Sequence, residues 1–240
     1  MPKKTQNKSS VEDIRKRFDA DVERFSNLET GQTATVDAVL VLDLITRAAA
    51  ALVPQARRVL DIGCGAGNYA LKIHQALPDL DVSLVDISAP MLARAVERIR
   101  PETSGQIETF QADVRELDLG CERYDLILAA QVFHHLRGDE DWRLVFSNCF
   151  RALKPGGVLF ISDLIEQSTP AVQALMRSRW GEYLTNFRDE TYRDQVFAYI
   201  EREDTPRSVF FQMNLLAEVG FQQVDILHKN SCFAALYALK

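Results

Sequence analysis

No stretch of this chain is apolar for long enough to cross a bilayer. Its longest apolar windows, such as residues 48–54 and 126–133, stop far short of the roughly 20 residues a spanning helix needs. Nor does a basic segment followed by an apolar run and a cleavage site open the sequence, so a cytoplasmic setting is expected. Cysteine is scarce and scattered. Cys64, Cys121, Cys149 and Cys232 stand singly, with no C-x-x-C or His-x-x-x-His spacing, which argues against a disulfide framework and against a metal centre. Positive charge is also in deficit, 28 Lys and Arg against 34 Asp and Glu, so neither a nucleic-acid partner nor a membrane surface is expected. Internal repeats and low-complexity segments are missing too.

What remains is an ordinary globular composition, 47% hydrophobic and 26% charged over 240 residues, enough for one domain with embellishments. The opening "MPKKTQNKSS" reads as a solvated, frayed terminus. Helical spacing follows, first in Val11, Ile14 and Phe18, then, after the break "ETGQTATVD", in Val39, Leu42, Ile45 and Ala49. From there strand and helix alternate. "RRVLDIG", "DVSLVDI", "QIETFQADV", "YDLILAAQV" and "LKPGGVLFISDL" read as strands. Between them lie helix faces made by Ala70, Ile73 and Leu77, by Leu92, Ala95, Val96 and Ile99, and by Trp142, Val145, Phe146, Cys149, Phe150 and Leu153. Such alternation implies right-handed crossovers and a parallel sheet. The rhythm breaks at residues 165–209, a helical stretch rich in Arg and aromatics. The tail supplies a helix closed by Gly220 and two strands joined by a turn at Asn230 and Ser231, which must pair antiparallel.

The informative stretch is "VLDIGCGAGNYAL" at residues 59–71. Gly63, Gly65 and Gly67 permit a tight strand-to-helix turn and close approach of backbone to a ligand. A glycine turn alone also fits a plain connection or a dinucleotide fold. Three strand-end acids, Asp61, Asp86 and Asp113, fall on the same sheet edge. Together they suit an amine, a ribose diol and an adenine amino group, and Asp61 would repel a pyrophosphate. A nicotinamide dehydrogenase is thereby disfavoured.

With these motifs the sequence resembles the class I S-adenosylmethionine-dependent methyltransferases. "VLDIGCGAG", "LVDIS", "QADV", "YDLILAAQVFHHL" and "LKPGGVLFISD" are similar to motifs of that family, in its order. The resemblance implies an α/β, Rossmann-like, doubly wound sheet of seven strands, mostly parallel, in the order 3-2-1-4-5-7-6 with strand seven antiparallel. It also implies S-adenosyl-L-methionine as cofactor and a single domain: a helical cover at 1–52, a cofactor-binding core at 53–164, a helical insertion at 165–209 and a tail at 210–240. Carried over by position, Asp61, Gly63, Cys64, Gly65, Asp86, Ile87, Met91, Asp113, Val114, Ala130 and Gln131 would bind the cofactor. The ending "LLAEVGFQQVDILHKNSCFAALYALK" is similar to carboxy-S-adenosylmethionine synthases of the tRNA wobble-uridine pathway. Leu215, however, stands where that group's carboxylate-binding Arg is expected, so plain cofactor is the reading.

Methyl transfer needs alignment first and a base only if the acceptor must lose a proton. His134, in preference to His135, and Asp163 are the catalytic candidates. His134, Arg179, Trp180 and Tyr183 are the candidates for contact with a small-molecule acceptor, while the eight acids of residues 165–209, Asp204 among them, read as a solvated face. A homodimer is compatible with the sequence. A cofactor-binding module without catalysis is the alternative from a different functional class.

Overall fold

The computed structural model describes residues 8–27 and 32–240; the first seven residues and part of the "ETGQTATVD" break lie outside it. Its centre is a seven-stranded sheet in the order β3-β2-β1-β4-β5-β7-β6. The strands are β1 (Arg58–Ile62), β2 (Asp81–Asp86), β3 (Ile107–Gln111), β4 (Tyr124–Ala130), β5 (Leu153–Leu164), β6 (Gln223–Asn230) and β7 (Phe233–Leu239). Neighbours are parallel from β3 to β5, and β7 runs antiparallel to both β5 and β6.

The near-continuous apolar runs of the central strands have a plain cause, since both faces of the sheet are covered. Successive side chains point to opposite faces. Leu60, Ile62, Ile127, Ala129, Leu159 and Ile161 enter one core with α6 (Asp139–Ala152) and α9 (Val209–Val219). Val59, Leu126, Leu128, Val158 and Phe160 enter the other, against α3 (Ala38–Leu52), α4 (Asn68–Ala76) and α5 (Ala89–Ile99). On α3 the buried stripe is Val41, Leu42, Ile45 and Ala49; Val39, expected on it, is 59% exposed, because the stripe starts two residues later than the spacing suggested. Leu153 already belongs to β5.

Two separated segments build a roof over the strand ends. One comprises α1 (Val11–Ala20) and α2 (Val22–Ser26); the other, α7 (Pro170–Phe187) and α8 (Glu190–Glu203). The latter pair buries Trp180, Leu184, Val196 and Ile200 against Leu164 and Phe233. The end of the "MPKKTQNKSS" stretch is ordered, contrary to its polar composition. Ser10 caps α1 in a reciprocal box with Asp13, the Ser9 N–H donates to the Arg202 carbonyl at 3.0 Å, and Lys8 Nζ reaches the carbonyls of Glu201 and Asp204, each at 2.6 Å. The segments also meet through Arg17 and Glu203 (2.6 Å), Trp180 Nε1 and the Ala34 carbonyl (2.8 Å), and the Tyr183 hydroxyl and the Thr33 carbonyl (3.0 Å).

Candidate functional site

At the carboxyl edge of β1, β2 and β4 the chain forms a cleft partly open to solvent. All of the residues expected to contact cofactor line it: Asp61, Gly63, Cys64, Gly65, Asp86, Ile87, Met91, Asp113, Val114, Ala130 and Gln131. Val11, Ile14, Phe18 and Phe25 of α1 and α2 cover its mouth.

The glycines are conformational necessities. Gly63 has φ +64°, and a Cβ there would come within 2.6 Å of Val132 Cγ2; Gly67 has φ +80°, and a Cβ there would press on Ala95 and Ile99 of α5 at 3.1 Å. Asp86 fastens this turn to the next, accepting from the Gly65 N–H at 2.8 Å and the Ser88 N–H at 2.9 Å. Burial nonetheless raises its carboxyl above the ordinary range. Asp61 is more exceptional. It is 1% exposed, its Oδ2 has no hydrogen-bond partner among the described residues, and burial pushes its carboxyl up to about 7. An unpartnered buried carboxylate facing a cleft is held for a cation. Asp113 is engaged differently: burial alone would raise its carboxyl, but Arg115, at 2.5 and 2.9 Å, outweighs burial and lowers it, and Arg115 also reaches Asp141 at 3.2 Å.

A second cavity adjoins the first, with Phe18, Phe25, Gln32, Gln131 and His135 lining both. Its other walls include Arg17, Arg24, Trp180, Tyr199, Phe233, His134 and Asp204. Trp180 is thus at the cavity as expected. Tyr183 is not among its lining residues, and its hydroxyl is committed to Thr33. Arg179 corrects its expectation fully, lying exposed on α7 and away from both cavities, because the inward face of that helix belongs to Trp180 and Leu184.

The tandem histidines occupy a turn at Phe133–His135, whose Phe133 is locked edge-on against Trp142 (6.0 Å) and Phe146 (5.7 Å) in the core. His134 Nδ1 is hydrogen bonded to Asp163 Oδ1, its backbone N–H donates to Asp163 Oδ2 at 2.9 Å, and its Nε2 lies 3.8 Å from Asp204 Oδ1. Burial would lower this imidazole, but Asp163 and then Asp204 outweigh it, and the ring is pushed up to about 9. His134 is therefore a cation at neutral pH, which removes it as a proton acceptor there. Asp163 is buried, spent on that cation, and lines neither cavity. His135 is the reverse case. Burial first, then the charge of His134, lowers it.

Asp204 was misread as part of a solvated face. It is 5% exposed at the end of α8, and Thr205 beside it donates its N–H to the His134 carbonyl at 2.7 Å, so the cover ends on the histidine turn. The available signal was "EREDTP", where a helix stops on acids before Thr and Pro. Donor atoms of His134, His135 and Asp204 lie within 4.8 Å of one another, with His135 Nδ1 3.2 Å and His134 Nε2 3.8 Å from Asp204 Oδ1.

Residues 59–157 match the methyltransferase-domain family. The chain is 28% identical over 204 residues to a carboxy-S-adenosyl-L-methionine synthase of Shewanella amazonensis, covering 83% of each protein. It is 34% identical over 122 residues to a ubiquinone/menaquinone biosynthesis C-methyltransferase of Syntrophotalea carbinolica, covering 51% of this chain and only 50% of that relative. Two solved structures share the fold: the [4+2]-cyclase SpnF, with a TM-score of 0.66 at 14% identity, covering 97% of both chains, and the Burkholderia thailandensis 1,6-didemethyltoxoflavin-N1-methyltransferase, with a TM-score of 0.63 at 16% identity, covering 95% of this chain and 87% of that one.

Proposed function

We propose that this chain is a class I S-adenosylmethionine-dependent methyltransferase, a reading supported by its match to the methyltransferase-domain family over residues 59–157, and that it methylates a small molecule held in its second cavity. The observation that carries this reading is the pair of connected cavities, the first offering an unpaired buried Asp61 and a glycine turn, the second walled by the helical cover. Asp61 would take the ammonium of the methionine tail, whose charge its lone oxygen lacks. Asp86, already fixed by two backbone N–H groups, would take the ribose hydroxyls. Ile87 and Met91 would pack on adenine, with Asp113 and Val114 at its amino edge, while Gly63, Cys64, Gly65, Ala130 and Gln131 would frame the tail.

When bound, S-adenosylmethionine supplies an electrophilic methyl on a sulfonium. The work of the chain is to align an acceptor with that methyl and to keep water out, which the roof of α1, α2, α7 and α8 is placed to do. Gln131, in a left-handed conformation at φ +56° with its N–H on the Ser162 carbonyl, turns the β4 end between the two cavities.

A second reading, synthesis or use of a carboxylated cofactor, draws on the likeness to the synthase across 83% of the chain. Leu215, expected in place of a carboxylate-binding Arg, is buried in the core on α9 and lines neither cavity, so it does not bear on this reading. Mass spectrometry of small molecules released from acid-denatured protein separates the readings. S-adenosylmethionine or S-adenosylhomocysteine supports methyl transfer, a carboxylated derivative supports the second reading, and a nicotinamide dinucleotide overturns both.

A further inference from the structure

Resting on that reading, we infer that the acceptor is a flat aromatic compound carrying an ionisable hydroxyl or ring N–H, and that His135 takes its proton. The position of His135 is the first ground. Of the two adjacent histidines, only His135 lines both the cofactor cleft and the second cavity, where a nucleophile would meet the methyl.

Its surroundings are the second ground. Asp204 Oδ1 lies 3.2 Å from His135 Nδ1 without the alignment of a hydrogen bond, so the carboxylate acts by its charge, which favours a proton on Nδ1 and leaves Nε2 with its lone pair. The ring stands edge-on to Phe18 at 6.1 Å and beside the His134 ring at 4.3 Å, which fixes its plane. Charged groups bear on it from every side: His134 in its own turn, with Asp163 of β5 behind that ring; Asp204 at the end of α8; Arg17 of α1; and Asp113 after β3. Burial first, then the charges of His134 and Arg17, lowers the imidazole, and Asp204 supports the imidazolium once the proton arrives.

The cavity walls give the acceptor class. Phe18, Phe25, Trp180 and Tyr199 present aromatic surface, and two guanidinium groups lie over it, Arg17 4.3 Å from the Phe18 ring and Arg24 4.2 Å from the Phe25 ring. A flat ring is accommodated by the former; the latter are already paired, Arg17 with Glu203 and Arg24 with Asp21, each at 2.6 Å. In the step, the acceptor O–H or N–H bond breaks, its electron pair stays on the heteroatom and the proton bonds to His135 Nε2. The heteroatom's pair forms the new bond to the methyl carbon, and the pair of the breaking carbon–sulfur bond stays on sulfur.

The test uses 4-nitrophenol with the full-length protein saturated with S-adenosylhomocysteine, reading the phenolate absorbance against pH. The bound probe is expected to ionise about one pH unit below the free probe in the wild type, and at least that far below it in His134→Gln, where His135 loses a neighbouring charge that lowers it. In His135→Gln the shift is expected to vanish while calorimetric affinity for S-adenosylhomocysteine is kept, which shows the variant is folded. Failure of the probe to bind overturns the acceptor class. A shift that survives His135→Gln, or that is lost instead in His134→Gln, overturns the role of His135. Failure of the wild type to bind S-adenosylhomocysteine overturns the methyl-transfer reading itself.

Discussion

Ser88 Oγ donates a 2.6 Å hydrogen bond to Asp19 Oδ1, joining the roof helix α1 to the turn that holds Asp86. Ser88 is fully buried and doubly used, since its N–H donates to Asp86 and its hydroxyl caps α5 at the Met91 N–H. One hydroxyl thereby ties together a ligand-facing carboxylate, a helix start and the lid above them.

Asp19→Ala is expected to weaken S-adenosylhomocysteine binding about tenfold, the effect of losing one hydrogen bond to a charged group worth about 1.5 kcal/mol. Ser88→Ala should add a lower melting temperature through the lost cap. Calorimetry and thermal melts check both; unchanged affinity in Asp19→Ala would mean that α1 does not retain the ligand.

Asp61 makes the ligand-free protein sensitive to alkali. Its carboxyl stands at about 7 in the fold against an ordinary 3.8, so its contribution to stability is complete below about pH 4 and lost as pH rises through 7, on the order of 4 kcal/mol in all. Asp61→Asn should therefore raise the melting temperature of ligand-free protein at pH 8 and have little effect at pH 4. Binding of the cofactor's ammonium should strengthen from pH 6 to pH 8 in the wild type and lose that slope in the variant.

His134 acts in a higher window. With its imidazole raised to about 9 from an ordinary 6.5, the stability supplied by its charge is fully present below pH 6.5 and lost as pH passes 9. Thermal melts from pH 6 to 9.5 should show this decline, and His134→Gln should flatten it. A decline of the same steepness in the variant would assign it to other groups.

Gly63→Ala should abolish cofactor binding and destabilise the fold, because the side chain would meet Val132 at 2.6 Å in a left-handed conformation that L residues adopt at a cost of about 1 kcal/mol or more. Gly65→Ala meets nothing within 4 Å, and its strain is conformational alone. A larger loss of melting temperature in Gly63→Ala than in Gly65→Ala is the expected order.

The sheet was legible because its strands are buried on both faces and its acids fall at strand ends, so apolar runs and Asp61, Asp86 and Asp113 marked one edge without any three-dimensional information. The acceptor side was less so. Arg17, Tyr199 and Asp204 meet there across gaps of more than 180 residues, and their neighbours in sequence are charged, so local pattern described a solvated face where the fold makes a buried one. The difference between His134 and His135 was hidden for a related reason. Adjacent residues differ by which carboxylates approach them, and Asp163 and Asp204 come from separate elements.

The roof drawn from both ends of the cofactor core also sets an order of events during synthesis. Arg17 leaves the ribosome 186 residues before Glu203, its partner, a delay of roughly 10 to 40 s at ordinary elongation rates. Throughout that interval Val11, Ile14, Phe18 and Phe25 have no finished cleft to cover. The nascent sheet can meet its nucleoside while still unroofed, and the first helices made are among the last to dock.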